Sequence, residues 1–490
     1  MPPDQVAGSI IRPGDNCWCI AQARRASVLV DGAQYFGRLE QALRGARHSI
    51  TILGWDFDGR IRLSADQSPE VSPPLGQLLR QLVERNPALE VRILVWSMAV
   101  LHAPGAPGPL MFGADWQEHP RIHMKLDTHH PIYAAHHQKI VCIDDQLAFV
   151  GGMDLTVRRW DDQRHLAVSP VRLGPEGNHY RPVHDIQMLV DGEAARKLCE
   201  LAHDRWLAAT GAARPACPSV SDADLWPEGL AADFTDVPIA IARTMPEMSD
   251  QMGVEEAERL TLDALRAAKH SIYIEAQYLT ARSVGRVLCE QLERPDGPQI
   301  LALITYESRG LIERFVMANN RDRLIRHLVD ADHYGRFGAY YPVVPNGDQD
   351  EPVHIHSKLL IVDDRFLRIG SSNFNNRSAG LDTECDLAIE ATDPAMREGI
   401  RRIRNGLLAE HLGTSEAEIA AVADEVGLLH GIERINRGRR GIRPFAAMTD
   451  NGPKGELFGT ALLDPKRPYR LLRFLRPRQN PRLHGRRLHR

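Results

Sequence analysis

One short pattern occurs twice in this chain, and its repetition limits the possible folds more than any other feature. Residues 137–144 read His-Gln-Lys-Ile-Val-Cys-Ile-Asp and residues 356–363 read His-Ser-Lys-Leu-Leu-Ile-Val-Asp, both fitting H-x-K-x-x-x-x-D. Each octet runs into a glycine-containing sequel, Gly151-Gly152-Met153-Asp154 or Gly370-Ser371-Ser372-Asn373, whose last residue lies 17 positions after the His. A second repeated stretch, Ala-Leu-Arg-x-Ala-(Arg/Lys)-His-Ser-Ile, begins at Ala42 and at Ala264, 95 and 92 residues ahead of the two motif histidines. Matched spacing over that length means that whole domains are duplicated, and not only motifs.

Each half follows the same grammar. A helical pattern (33–46; 254–268) leads into a β-branched strand near Ile50 or Ile272. A second helix (75–85; 284–292), a buried strand (91–96; 300–305) and the motif hairpin come next. Strands alternating with helices predict an α/β fold, each half a sheet covered by helices on both faces. The expected domains are 1–210, a Pro-containing linker at 211–236, a second lobe at 237–410, and a C-terminal helix with a basic Arg/Pro-rich tail at 411–490. Ser415-x-x-Glu418 reads as a capping box opening that helix.

In an extended strand, residues two apart share a face, so His137 and Lys139 point together, as do His356 and Lys358. Such a pair suits phosphate chemistry: the ammonium neutralises non-bridging oxygens while the imidazole attacks phosphorus or moves a proton. Asp144 and Asp363 complete the two motifs on the opposite parity, and their expected place is the hairpin end, holding local structure. The glycine-rich sequels are expected to bring Asp154, Ser371 and Asn373 to a bound phosphate. Asp185 and Glu384, each opening a later strand, are the expected partners for the far ring nitrogens of the histidines. His136 and His354 are weaker candidates.

These residues resemble the phospholipase D superfamily, over about 31–390. The resemblance implies two α/β lobes related by a pseudo-twofold axis, with the motifs meeting in one active site. It implies a two-step displacement through a phosphohistidine, with His137 as nucleophile, His356 as general acid and then base, and no cofactor or metal. Gly151-Gly152-Met153-Asp154, Arg159-Trp160-Asp161, His184-Asp185-Ile186 and residues 272–278 look like the phosphatidylcholine-type branch and imply hydrolysis of a phospholipid to phosphatidic acid, with transfer to alcohols. The alternatives are a cardiolipin-synthase-like phosphatidyltransferase, although those enzymes usually carry Asn where this chain has Asp154, and a nuclease-type phosphodiesterase.

Charge weighs against nucleic acid. The formal net charge is −4, yet residues 466–490 hold ten Lys or Arg and no acid, leaving −14 on the rest. An acidic body is a poor binder of polyphosphate, whereas a basic tail suits an anionic membrane surface. Seven scattered Cys predict reduced thiols and a cytoplasmic protein. Neither a secretory signal nor a spanning segment is expected, so contact with the inner face of a membrane would be peripheral. The sequence carries no signal for an oligomeric state.

Overall fold

A computed structural model describes residues 8–97, 113–131, 133–213, 224–248, 251–306, 311–445 and 463–468. The basic segment 469–490, expected to meet a membrane, lies outside these residues.

The strands pair in an order that repeats about its centre. From one end it runs Ile122–Asp127, Glu90–Trp96, Ser49–Gly54, Ile140–Ile143, Leu147–Gly151, Ile186–Asp191 and Cys19–Val30. Cys19–Val30 pairs antiparallel with Phe234–Met245, and seven strands then follow in the equivalent order: Phe234–Met245, Glu384–Glu390, Phe366–Gly370, Lys358–Val362, Ser271–Ala276, Gln299–Ile304 and Phe337–Asn346. In each half the three of these strands farthest from the centre run parallel to one another and the others antiparallel, giving the mixed α/β sheet.

Three apolar clusters hold this arrangement. One lies between the Ser49–Gly54 side of the first sheet and the helices Asp31–Gly45 and Leu75–Arg85, which bury Tyr35, Phe36, Leu39, Leu78 and Leu79. Its counterpart packs Glu256–Ala267 and Arg282–Glu293 on the second sheet. The third belongs to both halves. It joins Ile140, Val150 and Met188 to Ile361, Ile369 and Leu387, and takes in the helices Gly192–Thr210 and Pro394–Leu412. Together these clusters cover both faces of each sheet.

The helices and strands read from periodicity appear within a few residues of their expected bounds. Ser415 caps the helix Glu416–Val426 by accepting the Glu418 N–H at 3.2 Å. Two elements differ. A long strand, Cys19–Val30, precedes the first helix and lies at the centre of the strand order. The strand Phe234–Met245 begins inside the expected linker. No helix among the described residues is long and apolar enough to cross a membrane, and the six described cysteines are free thiols.

Candidate active site

The two motif histidines sit just ahead of the strands that carry the rest of their octets, Ile140–Ile143 and Lys358–Val362. Each is tied by its backbone to the opposite half. The His137 N–H donates to Thr383 O at 3.1 Å, and the His356 N–H donates to His184 O at 2.8 Å. The residues that follow these acceptors, Glu384 and Asp185, turn their carboxylates to the imidazoles. His137 Nδ1 lies 2.9 Å from Glu384 Oε2, and His356 Nδ1 lies 2.6 Å from Asp185 Oδ2. The orienting contacts are therefore crossed, each histidine held by a carboxylate of the other half.

With Nδ1–H donated to a carboxylate, the tautomer assigned from this network leaves an Nε2 lone pair for reaction. Burial pushes both imidazoles well below their ordinary value. Beyond burial, Lys139 and Lys358 act on His137, and Lys358, Arg159, His354 and Lys139 act on His356. Cations from both halves thus bear on both rings. Burial also lowers the Lys358 ammonium and raises the Asp185 carboxyl. It pushes Glu384 up to about 8, against hydrogen bonds from Ser371 and Ser378.

Asp144 and Asp363 lie at the hairpin ends, away from the reacting groups: Asp144 accepts the N–H groups of Arg47, His48 and Ser49 at 2.7–2.8 Å, and Asp363 accepts those of Lys269, His270 and Ser271 at 2.7–2.8 Å. Ser371 faces inward: its Oγ donates to Glu384 Oε2 at 2.6 Å, and Ser378 Oγ donates to the other oxygen at 2.6 Å. At the equivalent first-half position, a Cβ on Gly152 would lie 2.3 Å from Asp185 Oδ1. The small residues in these sequels therefore make room for protein carboxylates rather than for an anion.

Asp154 pairs with Lys139 Nζ at 3.2 Å and accepts the Trp55 N–H at 2.8 Å. A carboxylate in that position repels a phosphate, so its direct contact is with the lysine. Asn373 differs: its Oδ1 is buried with no hydrogen-bond partner. In the second half Lys358 donates to Gln277 Oε1 at 3.3 Å. Pattern reading gave no role to the hydroxyl of Ser378 or to the charge of Arg159, although Arg159 lies in the Arg159-Trp160-Asp161 stretch that carries the resemblance. His136 is structural, 3.0 Å from Asp127 in a fully buried pair, and His354 contacts Thr305 Oγ1 at 2.9 Å.

Comparison with known proteins finds relatives over most of the chain. The family model "Cardiolipin synthase, PLD-like domain" matches residues 261–403. Phospholipase D1 of Saccharomyces cerevisiae is 24% identical over 458 residues, covering 74% of this chain and 27% of that protein. Phospholipase D A of Dictyostelium discoideum is 24% identical over 434 residues, covering 74% and 32%. The chain is thus similar to phospholipase D proteins over about three quarters of its length. Phospholipase D alpha 1 of Oryza sativa is 23% identical over 558 residues, covering 84% of this chain and 67% of that protein. Against the first two relatives the chain spans about a third of their length or less. In fold it is similar to the phosphatidylserine synthase of Haemophilus influenzae Rd KW20, with a TM-score of 0.55, 12% identity, and coverage of 79% of this chain and 88% of that one.

Among the described residues, two other groups of His and carboxylate have metal-ligand spacing: Asp31, His165, His184 and Glu410, and His184, Glu275 and His411. Both lie outside the His137 and His356 pair.

Proposed function

We propose that this protein is a phospholipase D, cleaving the distal phosphodiester of a glycerophospholipid to phosphatidic acid and a head-group alcohol. The observation that carries the reading is the crossed pair of histidine–carboxylate contacts, His137 with Glu384 and His356 with Asp185, among the cations Lys139, Lys358 and Arg159. The phospholipase D relatives of yeast and rice support the choice of substrate.

In this mechanism His137 Nε2 attacks phosphorus and the bond to the head-group oxygen breaks. His356, entering this step as an imidazolium with Asp185 on its Nδ1–H, gives that oxygen its Nε2 proton. The same imidazole then takes a proton from water or an alcohol, whose oxygen displaces His137 from phosphorus. Lys139, Lys358 and Asn373 hold the non-bridging oxygens, while Asp154 keeps the Lys139 ammonium in place. Glu384 and Asp185 hold each ring in its reactive tautomer. The basic segment 466–490 would bring the enzyme to an anionic bilayer at about 1 kcal/mol per cation.

Incubation with phosphatidylcholine vesicles and ethanol tests this directly, the expected product being phosphatidylethanol. His137→Ala and His356→Ala should each lower the rate by at least about 10²- to 10⁴-fold, the usual share of one acid–base group. Absence of phosphatidyl transfer with every common phospholipid would refute the assignment. A cardiolipin-synthase-like transfer has one observation in its favour, the family description matched by residues 261–403. That reaction would yield cardiolipin from phosphatidylglycerol alone, and comparing the two lipids separates the readings.

A further inference from the structure

On the far side of the segment that positions His356 lies a second cluster, built from Asp31, His165, His184 and Glu410, whose ligand atoms all fall within 4.8 Å of one another. The side chains are almost wholly buried, at 6% exposure or less. His165 Nε2 is 3.4 Å from Asp31 Oδ2 and 2.9 Å from Glu410 Oε1. His184 Nδ1 is 3.0 Å from Asp31 Oδ1 and 3.0 Å from the same Glu410 oxygen. Four ligands at about 2.0–2.1 Å from a central ion would stand about 3.3 Å apart along the edges of a tetrahedron, close to the spacing found here.

The outer nitrogens of the two rings are already committed. His165 Nδ1 is 3.0 Å from Asp161 Oδ2, and His184 Nε2 is 3.0 Å from Glu275 Oε2. A neutral imidazole carries one N–H. When that hydrogen points outward to a carboxylate, the inward nitrogen presents a lone pair toward the oxygens of Asp31 and Glu410. Lone pairs from four groups then converge on one point. The oxygens of Asp31, a residue with no exposed surface, meet the two imidazole nitrogens and have no hydrogen-bond partner outside the cluster among the described residues. Carboxylate–histidine pairs with the histidine's other nitrogen turned inward form the supporting shell that metal sites use to fix ring orientation.

The neighbouring group of His184, Glu275 and His411 does not compete for this role. Glu275 is saturated with contacts from His184, His411, Tyr273 Oη and Ser357 Oγ. It acts as the acceptor that orients His184.

We propose that Asp31, His165, His184 and Glu410 bind one divalent transition-metal ion, with zinc the best match to two imidazoles and two carboxylates. The ion neutralises both carboxylates in an interior where no Lys or Arg ion-pairs with either, among the described residues. The site is distinct from the phosphate-handling residues, for which no metal was expected. It is nevertheless mechanically joined to them: the Asp31 N–H donates to Asp185 O at 2.8 Å, and His184 O accepts the His356 N–H at 2.8 Å. The bound ion would therefore fix the strand end that positions Asp185 against His356.

The test is metal content and thermal unfolding of the full chain, stripped with a chelator and then given zinc alone. About one equivalent should remain after gel filtration, with a melting temperature that falls on stripping and recovers on zinc addition. Asp31→Asn, which keeps the side-chain shape, and His165→Ala should lose the zinc, while His137→Ala and His356→Ala retain it. The wild-type stripping experiment stands even if a cluster variant does not fold. The proposal is overturned if stripped protein melts unchanged and retains no zinc, manganese or iron(II). It is also overturned if Asp31→Asn binds as much zinc as the wild type, or if the metal is lost in His137→Ala, which would place it in the catalytic cleft. None of these outcomes depends on lipid turnover, so failure of the lipid assay leaves the metal result interpretable.

Discussion

Ser371 was expected to touch phosphate, and its observed hydrogen bond changes what its removal should do. Its hydroxyl donates to the Glu384 carboxyl group, which in turn holds His137. Ser371→Ala should therefore lower kcat roughly tenfold with little change in KM, as loss of a positioning contact requires, whereas a phosphate ligand would raise KM. Steady-state kinetics on vesicles decides between them. Glu384 itself gives a pH prediction. Its carboxyl is raised from an ordinary 4.5 to about 8 by burial. Between those values the folded chain keeps a proton that the unfolded chain releases, so this group makes stability decline as pH rises through the window. Thermal melts across it should be visibly flatter for Glu384→Gln, and equal slopes would remove Glu384 as the source.

At the scale of elements, the motif aspartates hold the turns of the two hairpins. Asp144, Asp145, Asp363 and Asp364 all have positive φ, between 50° and 56°, a conformation that short polar side chains tolerate better than most. The three N–H groups each motif Asp accepts anchor that turn to the start of the neighbouring strand. Asp144 is buried and Asp363 half-buried, so Asp144→Ala should cost about 3 kcal/mol and Asp363→Ala about half as much. Denaturant titration of both variants checks the order, and the same two proteins should keep measurable turnover, unlike the histidine variants. Parity had already separated these residues: in H-x-K-x-x-x-x-D the Asp falls on the face opposite the His. The small residues at 152 and 371 were visible too, but only coordinates reveal what fills the space beside them. A glycine signals a close approach without naming its partner. The crossed contacts were equally hidden, since periodicity reports on local structure and Glu384 lies 247 positions from His137.

For the whole molecule, the duplicated grammar predicted the α/β class and the repetition of elements, because hydrophobic period and β-branched runs are local signals. It did not predict that Cys19–Val30 joins the halves, because an isolated strand has no local mark of its pairing partner. That strand pairs with Ile186–Asp191 on one side and Phe234–Met245 on the other, and one apolar cluster contains residues of both sheets. The lobes should therefore not melt separately. Calorimetry is expected to give a single unfolding transition with equal calorimetric and van't Hoff enthalpies; two resolved transitions would contradict a shared core.

The exchange of carboxylates between halves also bears on ancestry. A forerunner with a single motif would have had a histidine but no proper anchor for it, so it could have been selected as a catalyst only when two copies met. The two halves of this polypeptide differ at the matching positions, Ser371 against Gly152 and Glu384 against Asp185, yet each supplies a contact that the other half needs. A change at position 384 is felt at 137, and one at 185 is felt at 356, so lineages that keep the chemistry must inherit the two halves together.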